Sequence, residues 1–324
     1  MRVHILDDWS DTLRSLPSFA RLAGHDVTVW TDSAKGAELV RRLQGAEALC
    51  LFRERTRITA NLLAGLPALR VISGRGVWPH VDVAACTAAG VAFCSHKPAE
   101  QPNHAAAELT WALILAAMRD LPGQMASLRA GHWQAGVGRT LAGRTIGIYG
   151  FGRIGRLVAR YARAFGCDVL WWGSDEGRAR AVAEGEAVAP SRAAFFATPD
   201  VVSLHLRLTP ATTGIVTAAD LACMGPRSML VNTARAGLIA PGALLSALNA
   251  GRPGLAALDV FDAEPLTDPA DTILVHPRVI ATPHIGFVTE DEFDLQFAEI
   301  YDQVNAFAAG RPIHLVNRQP AHPE

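Results

Sequence analysis

Thr145-Ile146-Gly147-Ile148-Tyr149-Gly150-Phe151-Gly152-Arg153-Ile154-Gly155 reads as a buried strand running into a glycine-rich turn, and Ile154 to Phe165 continues with helical periodicity. A Gly-x-Gly-x-x-Gly run alone is common, but strand before and helix after are the context in which it seats a dinucleotide. Gly150 permits the tight turn, Gly152 removes a Cβ so that the backbone can approach a pyrophosphate, and Gly155 lets helix and strand pack closely. The free amides at the helix N-terminus then face the phosphates. An Asp or Glu about 20 residues further on would bind the ribose of NAD. Here Trp171-Trp172 is followed by Gly173 and Ser174, and Asp175 comes two positions late. Arg178 and Arg180 follow closely and suit the extra phosphate of NADP. Asp175 and Glu176 also suit the first turn of a helix, where acids meet a favourable dipole. NAD is the first expectation and NADP stays open.

The strand and helix alternation extends both ways from this turn. Downstream, Asp168 to Trp172, Val201 to Leu206, Met229 to Thr233, Leu255 to Val260 and Val279 to Ala281 predict further strands of a doubly wound sheet. Upstream, Val3 to Leu6, Val27 to Trp30, Ala46 to Phe52, Arg70 to Ser73 and Val91 to Cys94 predict buried strands, with helical patterns at Ser33 to Gln44 and His80 to Ala89. Ala105 to Leu121 predicts a long buried helix joining two domains, ended by Pro122-Gly123; Glu108, Arg119 and Asp120 argue against a membrane span. A last amphipathic helix, Glu290 to Phe307, is expected to cross back to the first domain. No internal repeat has a fixed period.

At 324 residues, 50% of them hydrophobic, the chain exceeds the size at which a single core stops growing, which predicts two domains. The 30 basic and 31 acidic side chains give no broad positive field for nucleic acid or anionic lipid, so a small-molecule partner is expected. Asp7 and Asp8 interrupt the start before a signal peptide could form, and no apolar run reaches a membrane span; a cytoplasmic protein is expected. Five scattered cysteines without a Cys-x-x-Cys pair predict small buried hydrophobes rather than disulfides or a zinc site. His276 and His284 have poor spacing for helical metal ligands, and no metal is expected.

Three predicted strands of the second half each end beside a polar residue: Arg235, Glu264 and His284. Loops at the carboxyl ends of parallel strands converge in open α/β sheets, so the three groups could surround one small molecule. An arginine fork matches a carboxylate bidentately and stays charged. A histidine exchanges protons near neutrality, and a glutamate on its other nitrogen orients it and favours its protonated form. Singly, each has an ordinary structural account as an ion pair or turn residue; their joint placement beside a dinucleotide seat implies hydride transfer to a 2-oxo acid.

Four motifs in this order resemble the D-isomer-specific 2-hydroxyacid dehydrogenases: Gly150 to Gly155, Val231-Asn232-Thr233-Ala234-Arg235-Ala236-Gly237, Asp259-Val260-Phe261-Asp262-Ala263-Glu264-Pro265 and Ala281-Thr282-Pro283-His284-Ile285-Gly286. The likeness extends through Val201 to Leu206 and Glu108 to Thr110. It implies an α/β fold of two doubly wound parallel-sheet domains, a Rossmann cofactor domain (101–287) inserted into a flavodoxin-like substrate domain (1–100 plus 288–324), and a homodimer. It implies Arg235, Glu264 and His284 as the catalytic set. Cofactor contacts are then expected at Gly150, Gly152, Arg153, Ile154, Gly155, Ser174, Asp175, His205, Thr233 and Asp259. Substrate contacts are expected at Arg53, and through backbone amides in the region of Gly74, Arg75, Gly76 and Val77. The turn Gly76-Val77-Trp78-Pro79-His80-Val81-Asp82 is one residue shorter than the family's and carries the bulky Trp78, which predicts an unusual pocket; Arg53 and Arg55 equally suit a solvated basic loop. The chain ends 40 residues after His284, so the regulatory domain of some phosphoglycerate dehydrogenases is not expected. Glu264 stands where formate dehydrogenases carry Gln. The implied activity is reduction of a 2-oxo acid such as glyoxylate or hydroxypyruvate to its D-2-hydroxy acid; the rival is an NADH-sensing corepressor-like binding protein, which shares the fold.

Overall fold

The computed structural model describes residues 1–97 and 104–317, and the expected boundary at 100/101 lies outside them. The chain divides into two compact units, Met1–Gln101 with Thr289–Glu324, and Pro102–Val288.

In the first unit, five strands form one parallel sheet: β1 (Arg2–Ile5), β2 (Asp26–Val29), β3 (Ala48–Cys50), β4 (Val71–Arg75) and β5 (Ala92–His96). Their order is β2-β1-β3-β4-β5, the flavodoxin-like arrangement. Such a sheet is covered on both faces, which is why its strands read as apolar runs rather than alternations. Leu49, Ile72 and Phe93 fill one side with helix residues Leu62, Leu63 and Cys86. On the other, the helix Glu290–Ala308 lays down Phe293 and Phe297, whose rings meet Phe52 edge-on at 4.8 and 4.9 Å. The crossover from β1 to β2 is two 3-10 turns, Leu13–Ser15 and Pro17–Leu22, which the apolar pattern did not announce.

The second unit holds a six-stranded parallel sheet: β6 (Thr145–Tyr149), β7 (Asp168–Trp172), β8 (Val201–Leu204), β9 (Met229–Asn232), β10 (Leu255–Leu258) and β11 (Val279–Ala281). The order β11-β10-β9-β8-β6-β7 reverses direction between β6 and β8, which puts the glycine-rich turn after β6 at the switch point where such sheets bind ligands. The expected long helix spans His104–Arg119 and packs on the helix Arg153–Ala164 and on β9 and β10. It stops earlier than the pattern suggests, because Asp120 turns left-handed (φ 48°) and its side chain accepts from the Gly123 amide. Pro122 therefore opens a further helix, Leu121–Arg129, in whose first turn its missing N–H costs nothing.

Four cysteines are buried, whereas Cys223 is exposed, contrary to the reading of all five as core residues. Among the described residues no helix is long and apolar enough to cross a membrane, and no group of three or more His, Cys, Asp or Glu is placed to hold a metal ion.

Candidate active site

The glycine-rich turn shows why each glycine is needed. Gly150 has φ 117°, and a Cβ there would stand 2.6 Å from the His205 carbonyl oxygen. A Cβ on Gly155 would stand 2.6 Å from the Gly150 carbonyl oxygen. A Cβ on Gly152 would meet nothing within 4 Å. Gly150 and Gly155 thus satisfy packing inside the protein, while Gly152 faces space that a phosphate can occupy. Gly152 is also the N-cap of the helix Arg153–Ala164, with no side chain capping its first amides. Open backbone at a helix N-terminus fits a pyrophosphate.

Beyond β7 the ribose position is less regular. Ser174 caps the helix Asp175–Ala183 through the Gly177 amide, so Ser174 and Asp175 do serve as a helix start. Arg178 donates to the Gly173 carbonyl (2.7 Å) and to Asp175 (2.5 Å), with its guanidinium 4.3 Å from the Trp172 ring centroid. Beyond β8, His205 Nε2 lies 2.9 Å from Ser203 Oγ, and desolvation pushes its imidazole down to about 4, so it is neutral at physiological pH. Thr233, at the end of β9, pairs its hydroxyl with that of Thr110 at 2.7 Å.

Arg235, Glu264 and His284 follow β9, β10 and β11, three neighbouring strands. His284 Nδ1 and Glu264 Oε2 are 2.6 Å apart, and the other oxygen of Glu264 accepts from the Phe261 amide at 2.9 Å. Burial works to raise the Glu264 carboxyl. The His284 contact, the Phe261 amide and the charges of His284 and Arg235 outweigh it and hold the group below its ordinary value. Arg235 is thus close enough for its charge to act on Glu264, and the three groups share one region of the sheet's carboxyl edge. His284 itself has φ 53°, a left-handed conformation unusual for a side chain of its size.

Asp259 explains how that conformation is held. Its carboxylate is fully buried and accepts from Thr282 Oγ1 (2.5 Å) and from the amides of Ile285 (2.9 Å) and Gly286 (2.8 Å). Desolvation raises its carboxyl above the ordinary value despite these donors. The sequence motif marks Asp259, but not this role in bracing the His284 loop from both sides.

The residues expected to meet substrate in the first unit are Arg53, after β3, and Gly74 to Val77 at the end of β4. Arg53 is left-handed (φ 56°), and so is Gly76 (φ 91°), where a Cβ would meet nothing within 4 Å. Gly74 and Arg75 belong to β4, and the Arg75 side chain turns toward Glu299 rather than outward. The Trp78 ring packs edge-on against Phe93 at 5.8 Å. Arg55 is committed structurally: it donates to the Asp7 carbonyl at 2.6 Å, with the Trp9 and Phe52 ring centroids 3.8 and 4.1 Å from its guanidinium.

Residues 111–286 match the family model described as D-isomer specific 2-hydroxyacid dehydrogenase, NAD binding domain. The chain belongs to that family. The matched segment identifies NAD as the cofactor. Among curated relatives, the D-3-phosphoglycerate dehydrogenase of Mycobacterium bovis is 36% identical over 299 residues, 91% of this chain and 55% of its own length. The glyoxylate reductase of Aeropyrum pernix is 33% identical over 309 residues, 91% of this chain and 90% of its own. A solved phosphoglycerate oxidoreductase from Vibrio cholerae O395 superposes with TM-score 0.90 at 45% identity, covering 96% of this chain and 99% of that one. The chain spans just over half the length of the mycobacterial dehydrogenase.

Two outcomes are expected. Gly150→Ala should destabilise the protein by about 1–3 kcal/mol in thermal or urea melts, from strain and the clash with His205, whereas Gly152→Ala should leave stability unchanged and weaken NADH binding measured by fluorescence titration. A depressed carboxyl stabilises the fold above its unfolded pKa and loses that contribution as the pH falls through its folded value. Glu264→Gln should therefore melt below the parent at neutral pH, and the difference should shrink as the pH drops below 4.5, the ordinary glutamate value.

Proposed function

We propose that this protein reduces a 2-oxo acid to its D-2-hydroxy acid with NADH. The observation that carries the reading is the 2.6 Å contact of His284 with Glu264, beside Arg235 and on the same sheet edge as the dinucleotide turn.

In this reading Arg235 receives the substrate carboxylate and also polarises the oxo group next to it. Its fork fixes the plane of the substrate, which a lysine would not. Glu264 holds His284 by Nδ1, so Nε2 carries the proton to the carbonyl oxygen as it becomes an alkoxide. The left-handed backbone at His284, braced by Asp259, fixes the direction of that delivery. Bound NADH supplies the hydride to the carbonyl carbon. Run in the other direction, the neutral imidazole takes the hydroxyl proton from the 2-hydroxy acid.

The amide of Val77 and the side chain of Arg53 are assigned to the substrate end; Gly74, Arg75 and Gly76, whose own amide is taken by the His96 carbonyl, are assigned to the strand end that supports them. Arg153, Ile154, Ser174, Asp175, His205 and Thr233 are assigned to the cofactor with Gly152, whereas Gly150 and Gly155 shape the turn and Asp259 braces the His284 loop. Tethering of Arg178 by Gly173 and Asp175, across the face of Trp172, favours NAD over NADP. Small 2-oxo acids such as glyoxylate and hydroxypyruvate, and longer analogues, are the substrates to screen with each reduced cofactor. The working form is a homodimer. The helix Leu121–Arg129 supports this, exposing Leu121, Met125 and Leu128 at a spacing of four and three, followed by Trp133 (78% exposed) and Val137 (fully exposed).

Steady-state kinetics on an accepted 2-oxo acid test the assignment. His284→Ala should lower kcat by on the order of 10²- to 10⁴-fold while NADH binding is retained. Arg235→Ala should raise KM by about 10- to 100-fold, the loss of a charge-assisted contact. Unaltered kinetics in both variants would end the assignment. Light scattering tests the dimer: Met125→Glu with Leu128→Glu should halve the particle mass, and an unchanged mass would place the interface elsewhere.

A further inference from the structure

The end of β4 is held by the helix Glu290–Ala308 at three successive residues. Ser73 Oγ donates to the Ile300 carbonyl (2.8 Å) and lies 3.0 Å from Gln303 Oε1. Gln303 Nε2 donates to the Gly74 carbonyl (3.3 Å), and both Ser73 and Gln303 are fully buried. Arg75 Nε donates to Glu299 Oε2 at 2.6 Å, with only 10% of the arginine side chain exposed. The same glutamate oxygen lies 2.9 Å from His96 Nδ1, on the neighbouring strand β5. One carboxylate thereby joins the ends of two adjacent strands.

Immediately after these anchors comes Gly76. Its amide donates to the His96 carbonyl (2.8 Å) and its carbonyl accepts from Ser95 Oγ (3.3 Å). The His96 ring is stacked on His314, with centroids 4.3 Å apart and planes 20° from parallel. A left-handed glycine has little rigidity of its own, so the direction of the peptide that follows it is set by what holds its two flanks. Here both flanks, Arg75 and His96, end on Glu299.

We propose that Glu299 is a positioning residue for substrate, acting through Arg75 and His96 to hold Gly76 and so aim the Val77 amide. This rests on the assignment of that amide to the substrate carboxylate. The Val77 N–H shares one peptide plane with the Gly76 carbonyl, so whatever fixes Gly76 fixes its direction, and a displacement of about 1 Å at such a site is costly. Glu299 is well suited to the task. Its contacts are short and charge-assisted, and they lie in a partly buried place where solvent screens them less than at an open surface. The residue acts before chemistry begins, so its effect falls on substrate capture and not on proton or hydride transfer.

The test uses the full chain with NADH and an accepted 2-oxo acid, comparing Glu299→Ala, Glu299→Gln and Gly76→Ala with the parent. Glu299→Ala should raise KM by on the order of tenfold, with kcat and NADH affinity within about twofold of the parent. Glu299→Gln, which keeps the shape and one acceptor, should fall between the two. Hydrogen exchange should show the Gly76 amide less protected in Glu299→Ala, a change that needs no turnover to be seen. If both Glu299 variants keep the parental KM and Gly76 protection while Gly76→Ala raises KM, the clamp is refuted and the substrate loop stands. If Gly76→Ala also keeps the parental KM, the loop assignment has failed and the proposal falls with it. A drop in kcat equal to the rise in KM would likewise overturn it, since that pattern marks general damage.

Discussion

Everything at the carboxyl edge of the larger sheet depends on one carboxylate that water does not reach. A buried charge has to be met by donors, and Asp259 collects them from Thr282 on one side of His284 and from Ile285 and Gly286 on the other. The backbone between these anchors has nowhere to relax, so His284 is kept left-handed and its ring is presented to Glu264. Burial is what makes this effective. An exposed aspartate would trade its donors for water, and the loop would be free to turn the imidazole away.

A division of labour between neighbouring residues follows. Asp259 is spent on the geometry of the loop, while Glu264 meets the ring of His284 through Nδ1. The glycine-rich turn repeats the pattern. Gly150 and Gly155 are confined by the protein's own backbone, and Gly152 alone opens outward. In both places, residues close in sequence differ in how far packing confines them.

Much of this was legible in the chain. Eleven strands lie where apolar runs predict them, because strands covered on both faces leave an uninterrupted hydrophobic record. Arg235, Glu264 and His284 each follow such a run, and the last two meet at 2.6 Å. What the pattern hid was set by contacts distant in sequence or by competition among local choices. Pro122 reads as a helix stop, yet opens a helix because Asp120 turns left-handed first. The bulk of Trp78 is visible in the sequence, but not its partner Phe93. Arg55 suits a solvated basic loop, but its charge is taken by a carbonyl and two rings. Glu299 lies more than two hundred residues from Arg75, and no periodicity connects them.

The smaller unit is assembled from two segments that flank the larger one, and this affects its history as well as its form. Phe52 requires Phe293 and Phe297, and Ser73 requires Gln303, so the sheet keeps one apolar face open until the final helix arrives. The larger sheet has no such debt, since all six of its strands are contiguous in sequence. On the ribosome, synthesised from the amino end, the intervening unit is complete first, while the segment made earliest waits longest. That waiting surface is where chaperones would find this protein, and where premature release would lead to aggregation.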